Sequence, residues 1–339
     1  YPVENARFIS TAEGLTLAKE LLRGRFDELI SKKSVDFTYK LNENFRFRSN
    51  IFFQMDGVSA VFRVIPTKIP PLESLGLPES VKNLCDHVHR GMILVTGPTG
   101  SGKSTTLASM IDYINNCRKS HIITIEDPIE FIHEDRGCVI NQRSVGQDTP
   151  DFASALRAAL REDPDIILVG EIRDLETLTI ALMAAETGHL VLATLHTKDA
   201  QETINRILGM FKGPELEHAK MSCADVIQGV ISQRLCRRKD GGRVAAVEIM
   251  LQSPRIKQLI LKSRQDEIGQ AIVESGESSG MQTFDRDLLR LFNEGVITKE
   301  NALMASSKPN DLAILIQQAH AKLTGIENER DVISLKDVD

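Results

Sequence analysis

The sequence predicts an α/β protein: a mostly parallel sheet between helices, with a small α+β domain ahead of it and helices after it. Three observations carry that expectation. Four short runs, at 92–96, 121–125, 165–169 and 190–194, are apolar on both faces, so each strand needs cover on both sides, as in a parallel sheet clad by helices. The stretches between them, 152–161 and 177–187, have helical spacing. Before them, Val35, Phe37, Tyr39 and Leu41 recur at period two, as do Phe45 and Phe47, which marks half-buried antiparallel strands.

Residues 1–66 form the first domain. It opens with a helix over 15–32 and continues into the alternating strands. Residues 60–65 supply a partner strand, reached through a two-residue turn at Asp56-Gly57, a pair that favours hairpins. Paired positions then sum to 113, which sets Arg48 opposite Ile65 and Asn50 opposite Arg63. Paired residues share a face, so Arg48 and Arg63 lie on one side of the sheet, while Phe45 and Phe47 point into the domain's core. Pro66, Pro70, Pro71 and Pro78 crowd thirteen residues, where neither helix nor central strand persists, and 67–79 reads as a linker. The core runs from 80 to 250. A C-terminal helical part, 251–323, includes helices at 284–293 and 311–323, and a polar tail, 324–339, frays.

Composition narrows the class. The chain has 339 residues, 42% hydrophobic and 26% charged, which excludes a disordered protein. No run approaches the roughly 18 apolar residues of a membrane span, and no signal peptide opens the chain. A net charge of −6 argues against a nucleic-acid partner. Five cysteines without a C-x-x-C pair fit reduced cytoplasmic thiols, not a disulfide framework or a tetracysteine zinc site. Tyr1 stands where a start methionine would, as in a trimmed N-terminus.

Gly97-Pro98-Thr99-Gly100-Ser101-Gly102-Lys103-Ser104 fits G-x-x-x-x-G-K-[ST] between a predicted strand and a predicted helix. Its glycines let backbone N–H groups curl around phosphate oxygens, Lys103 reaches the β- and γ-phosphates, and Ser104 can hold Mg²⁺. The following helix turns its positive N-terminal end to the same anion. Further on, Asp165-Ile-Ile-Leu-Val-Gly-Glu171 is a strand that delivers a carboxylate at its C-terminal end, where ligands of open α/β sheets bind. Glu171 can there orient or deprotonate an attacking water, or reach the metal through a water; a lone strand-end glutamate would simply face solvent. Ile123-Thr-Ile-Glu-Asp-Pro-Ile-Glu130 repeats the design with three carboxylates, against the plainer alternative of a solvated acidic turn. His189 and His196 flank the fourth run, seven residues apart, and a period of two keeps them off one face, which argues against a zinc pair. One of them suits a sensor of the γ-phosphate and the other a structural histidine.

At these residues the sequence resembles a known family. Residues 97–104, 123–131, 165–173 and 187–197 are similar to the Walker A, Asp-box, Walker B and His-box motifs of the bacterial secretion ATPase superfamily, and within it to the PilT-type twitching-motility ATPases that retract type IV pili. Asn141-Gln-Arg143, Ile231-Ser-Gln-Arg-Leu235, Gly242-Arg-Val-Ala-Ala246 and Gly280-Met-Gln-Thr-Phe284 point to that branch, and the resemblance runs from about Val35 to Leu323. It implies a RecA-like motor domain behind a PAS-like N-domain whose opening strands are missing here. It also implies a cytoplasmic homohexamer, peripheral at the inner membrane, with ATP and Mg²⁺ as ligands. Lys103, Ser104 and Thr105 would contact phosphates and metal; Glu130 falls at the Asp-box glutamate, Glu171 at the Walker B glutamate, and His189 and His196 in the His box. Arg48 and Arg63 match N-domain arginines that act across the ring. The implied partners are the inner-membrane platform protein of the pilus and a paralogous retraction ATPase, with no nucleic acid.

Arg255-Ile-Lys-Gln-Leu-Ile260 departs from the family's A-I-R-x-L-I signature and brings the accessory, PilU-like branch close. A pilus-assembly or secretion ATPase is a further reading, against which the absent tetracysteine cluster speaks. A RecA-like nucleic-acid motor or a small-molecule kinase is the reading of another class.

Overall fold

Backbone pairing turns the alternating N-terminal segments into a hairpin-linked sheet, but in a different register from the one expected. The computed structural model describes residues 6–42, 45–66, 68–276 and 279–324; the expected fraying of the tail falls outside the described residues. The chain divides into two units, 1–71 with 107–193, and 72–106 with 194–339. That division groups the first expected domain with part of the expected core.

In the first unit, α1 (Thr11–Leu22) starts in a capping box in which Ser10 and Glu13 satisfy each other's backbone N–H groups, worth about 1 kcal/mol. The single helix expected over 15–32 is two helices. Arg23 takes a φ of 50°, the chain turns through 23–25 beside the poor helix former Gly24, and α2 (Phe26–Lys32) follows. Then β1 (Ser34–Lys40), β2 (Arg46–Gln54) and β3 (Gly57–Ile65) form an antiparallel sheet in that order.

The two-residue loop between β2 and β3 is Met55-Asp56, one position earlier than expected. Gly57 has a φ of 138°, a Cβ on it would press on Thr11, and the Thr11 hydroxyl donates to the Asp56 carbonyl at 2.9 Å. Moving a two-residue loop by one position changes the pairing sum by two, so Arg48 faces Arg63 directly and Arg46 faces Ile65. The faces survive because side chains alternate with period two. The core here is Ala18, Leu22, Leu29, Val35 and Ile51. Contrary to expectation, Phe45 is 49% exposed, and Phe47 groups with Tyr39 and Phe62 beside that core, ring centres 6.4 and 6.1 Å away. The buried residues of α1 and α2 pack with Val35 and Ile51 of the sheet, flanked by Phe37, Phe53 and Val58.

After one turn at Leu72–Leu75, α3 (Glu79–His87) and β4 (Gly91–Thr96) belong to the second unit, and α4 (Lys103–Cys117) returns the chain to the first. There β5 (His121–Glu126), β6 (Val139–Ser144), β7 (Ile166–Val169) and β8 (Leu190–Leu195) pair in parallel in the order β6-β5-β7-β8. Between them run α5 (Phe152–Ala159) and α6 (Leu175–Glu186), capped by Asp151 and Asp174, which accept the Ser154 and Thr177 N–H groups at 2.7 and 2.8 Å. Ile123, Ile125, Ile167 and Val191 are fully buried, as strands covered on both faces require. The edge strand β6, Val-Ile-Asn-Gln-Arg-Ser, is too polar to stand out in the sequence.

In the second unit, α7 (Ala200–Leu208) and α8 (Pro214–Val226) precede a hairpin, β9 (Ile227–Arg237) and β10 (Arg243–Leu251). β9 runs parallel to β4 and antiparallel to β10. The C-terminal helices follow: α9 (Pro254–Leu261), α10 (Ile268–Glu274), α11 (Phe284–Asn293), α12 (Lys299–Ala305) and α13 (Pro309–Thr324). Val244 and Ala246 of β10 form a core with Leu288, Leu291 and Leu312. Among the described residues, no helix is long and apolar enough to cross a membrane.

Candidate functional site

Residues 97–102 join β4 to α4 as a tight loop whose shape demands glycine. Gly97, Gly100 and Gly102 take φ values of 144°, 79° and 93°, a range closed to most side chains. A Cβ on Gly97 would lie 2.3 Å from the Gln233 carbonyl oxygen, and one on Gly102 would lie 2.7 Å from the Gln233 side-chain nitrogen. Gln233 of β9, 2% exposed, clamps the loop: its amide donates to the Ser101 carbonyl at 2.8 Å and accepts from the Thr106 hydroxyl at 2.8 Å. Nothing local in the sequence assigns Gln233 to this loop; its one signal is a polar residue in a strand otherwise rich in buried apolar groups.

Lys103, 8% exposed, curls back over the loop and donates to the carbonyls of Gly97 at 2.8 Å and Pro98 at 3.1 Å. The Ser101 hydroxyl is buried without a hydrogen-bond partner. An ammonium resting on backbone carbonyls, an orphaned hydroxyl and a cradle that only glycine can form suit a polyphosphate. The Gly97 N–H donates to the Leu195 carbonyl at 3.3 Å, so His196, the next residue, stands beside the first glycine of the loop. Mg²⁺ at such a loop takes few protein ligands and fills its other positions with phosphate and water. The hard hydroxyl oxygen of Ser104, in the first turn of α4, fits that role, and no cluster of acidic ligands is needed.

In the first unit the C-terminal ends of β5 and β7 lie side by side, with Ile125 paired to Val169. The Gly170 N–H donates to the Ile125 carbonyl at 2.8 Å, and a Cβ on Gly170 would lie 3.2 Å from the Glu126 Cα. This close approach sets Glu171 beside Glu126, the last residue of β5, and the loop after it that carries Asp127 and Glu130. Arg173 donates to Glu171 Oε2 at 2.7 Å and stands 3.9 Å from Asp127. The hydrogen bond to Glu171 is the main reason the Arg173 guanidinium is held above its ordinary range. Burial pushes the Glu126 carboxyl up, opposed by hydrogen bonds from Thr124, the Glu130 N–H and Gln142. Glu130 itself is exposed.

His189 does not join these groups. It sits at the N-terminal end of β8, with Nδ1 2.9 Å from the Ala184 carbonyl and 3.2 Å from the Thr187 hydroxyl, and so closes the end of α6. The six residues of β8 separate it from His196. His189 thus bonds the end of α6, while His196 stands at the other end of β8.

The arginine pair lies on one face of the sheet of the first unit. Thr38, Arg46 and Ile65 line a cavity of about 200 Å³ together with Ile129 and Ile132 of the chain's own acidic loop. Arg48 is two residues from Arg46 and shares its face, so Arg48 and Arg63 lie on the side of the sheet turned to that loop.

Known proteins resemble this chain in sequence and fold. The family profile described as Type II/IV secretion system protein matches residues 32–304. The type IV pilus retraction ATPase PilT of Pseudomonas aeruginosa is 50% identical over 291 residues, 85% of this chain and 83% of that protein. The type IV pilus ATPase PilU of the same organism is 42% identical over 290 residues, 85% of this chain and 74% of that protein. Among solved structures, the pilus retraction motor PilT with bound ADP superposes with a TM-score of 0.82 at 46% identity, covering 88% of this chain and 85% of that one. The α/β class with its mostly parallel sheet and small N-terminal antiparallel sheet is the fold of that relative.

Proposed function

Because this chain belongs to the type II/IV secretion system protein family, we propose that it is the ATPase motor that retracts a type IV pilus, working as a homohexamer at the cytoplasmic face of the inner membrane. The observation that carries the reading is the loop at 97–104, a glycine cradle closed over Lys103 and clamped from β9. On binding ATP, the Lys103 ammonium exchanges backbone carbonyls for β- and γ-phosphate oxygens. Ser104 would hold Mg²⁺, which when bound would neutralise phosphate charge. The water that attacks the γ-phosphorus in line is positioned by Glu171, kept in place by Arg173, or by Glu130 on the neighbouring loop. His196, beside Gly97, is suited to report on the γ position.

Arg48 and Arg63 stand directly opposite each other, an arrangement that is unfavourable for like charges unless an anion lies between them. They serve as a clasp for developing phosphate charge, supplied across the ring to a neighbouring subunit's site. Opening and closing of successive subunits would then act on the pilus platform protein so that pilin is withdrawn.

The test is genetic and biochemical. Cells lacking the gene should extend pili and fail to retract them, and this chain alone should restore retraction. Restoration only alongside a second retraction ATPase would assign the accessory role, toward which Arg255 in place of the signature alanine points.

A further inference from the structure

We propose that Gln142, acting with Glu126, is the positioning residue of the acidic loop, holding Glu130 where hydrolysis needs it; the proposal rests on the hydrolytic role of Glu130 given above. The loop from 127 to 133 contains no helix or strand, so no backbone ladder sets its shape. Its carbonyl and N–H groups need partners from elsewhere. Gln142 supplies them from the edge strand. Its Nε2 donates to the Phe131 carbonyl at 2.8 Å and to Glu126 Oε1 at 3.3 Å, while its Oε1 accepts the His133 N–H at 2.9 Å.

Glu126 completes the frame. It accepts from the Thr124 hydroxyl at 2.8 Å, and its second oxygen lies 3.4 Å from the Glu130 N–H. Thr124 is in turn the register partner of Gln142 across β5 and β6. The loop is thereby gripped at 130, 131 and 133 by two side chains that grip each other. Only glutamine brings donors and an acceptor this far from its backbone: glutamate lacks the donors, and asparagine is one methylene too short. The flanking residues of the same tripeptide face the other way. Asn141 Oδ1 lies 2.8 Å from His121 Nε2, and Arg143 pairs with Glu162 at 2.7 Å. Period two therefore assigns the middle residue of Asn141-Gln-Arg143 to the loop and the outer two to anchoring the strand.

The experiment is a double-mutant cycle on the full chain: steady-state ATP hydrolysis by wild type, Gln142→Met, Glu130→Gln and the pair. Gln142→Met keeps the length of the side chain and loses all three hydrogen bonds. It should lower kcat on the order of 10-fold and leave KM for ATP within about 2-fold, because the phosphate loop is untouched. In the Glu130→Gln background it should cost no further activity. A residue that merely supports the fold would cost the same factor in both backgrounds, and that result overturns the proposal. If Gln142→Met does not fold, Gln142→Glu, which keeps the acceptor for His133, is put through the same cycle. Full activity of Glu130→Gln alone would instead overturn the role of Glu130, and the proposal with it. A damaged Glu130→Gln enzyme beside an unaffected Gln142 variant would sink the positioning proposal alone.

Discussion

Where the arginine pair acts decides how a ring of these chains would couple its sites, and mixing of inactive variants reads it out. Arg48 is two residues along β2 from Arg46, about 7 Å at the usual strand rise, and Arg46 already lines the cavity shared with Ile129 and Ile132. Facing each other on one side of the sheet, the two guanidiniums can serve a single anion presented by the next subunit. Removing such a charge clasp costs on the order of 10³-fold in turnover, or about 4 kcal/mol of transition-state stabilisation, with ATP affinity far less affected. Arg48→Ala and Glu171→Gln subunits should each be inactive. Combined in one ring, they should regain activity at interfaces that pair an intact arginine with an intact glutamate. Random assembly gives about one interface in four both groups intact, so hydrolysis should approach a quarter of wild type. Mixed rings as dead as their parents, with subunit exchange confirmed by differently labelled chains, would refute the placement across the ring.

Three further outcomes are expected. Lys103→Ala should abolish hydrolysis while its melting temperature stays near that of wild type, since the ammonium bonds to loop carbonyls and not to a core; near-normal turnover would remove the phosphate-loop assignment. Glu171→Gln should retain ATP in a filter-binding assay yet hydrolyse it poorly, because the amide keeps the shape and loses the base; if Glu130→Gln is the more damaging change, the water-orienting role belongs to Glu130. Glu248 of β10 accepts the Ala200 N–H at 2.9 Å, and burial pushes its pKa from 4.5 up to about 7. Folding therefore disfavours its charged form: the stability contribution is whole below the unfolded value and is lost as pH rises through the folded one, by up to about 3 kcal/mol. Urea unfolding at about pH 5 and about pH 8 should show that loss in wild type and not in Glu248→Gln, and equal slopes in the two proteins would contradict it.

Much of the site was legible because its chemistry is local. The conformation of 97–104 is set within eight residues by glycine at the positive-φ positions, and Lys103 and Ser104 follow from the same spacing. Glu171 stands at a strand end because the apolar run of β7 stops there, and Glu130 follows β5 for the same reason. The helix at 284–293 could be read to the residue, since Thr283 caps it and its apolar face repeats at helical spacing. Alternation likewise told that Arg48 and Arg63 share a face.

Alternation could not tell which residues turn the hairpin. That choice depends on Thr11 meeting Asp56 across 45 positions, and with it went the directly opposed arginines. Gln233 reaches Ser101 across 132 positions, a contact that exists only once β9 lies beside β4. Gln142 became a support of the acidic loop only when the polar segment 139–144 paired with β5. The two histidines had the same local signature, and only their placement at opposite ends of β8 separated them. Sequence periodicity specifies which face a side chain takes, because that follows from backbone geometry over a few residues. Which partner waits on that face is decided by packing between segments far apart in the chain, and that is information no local pattern holds.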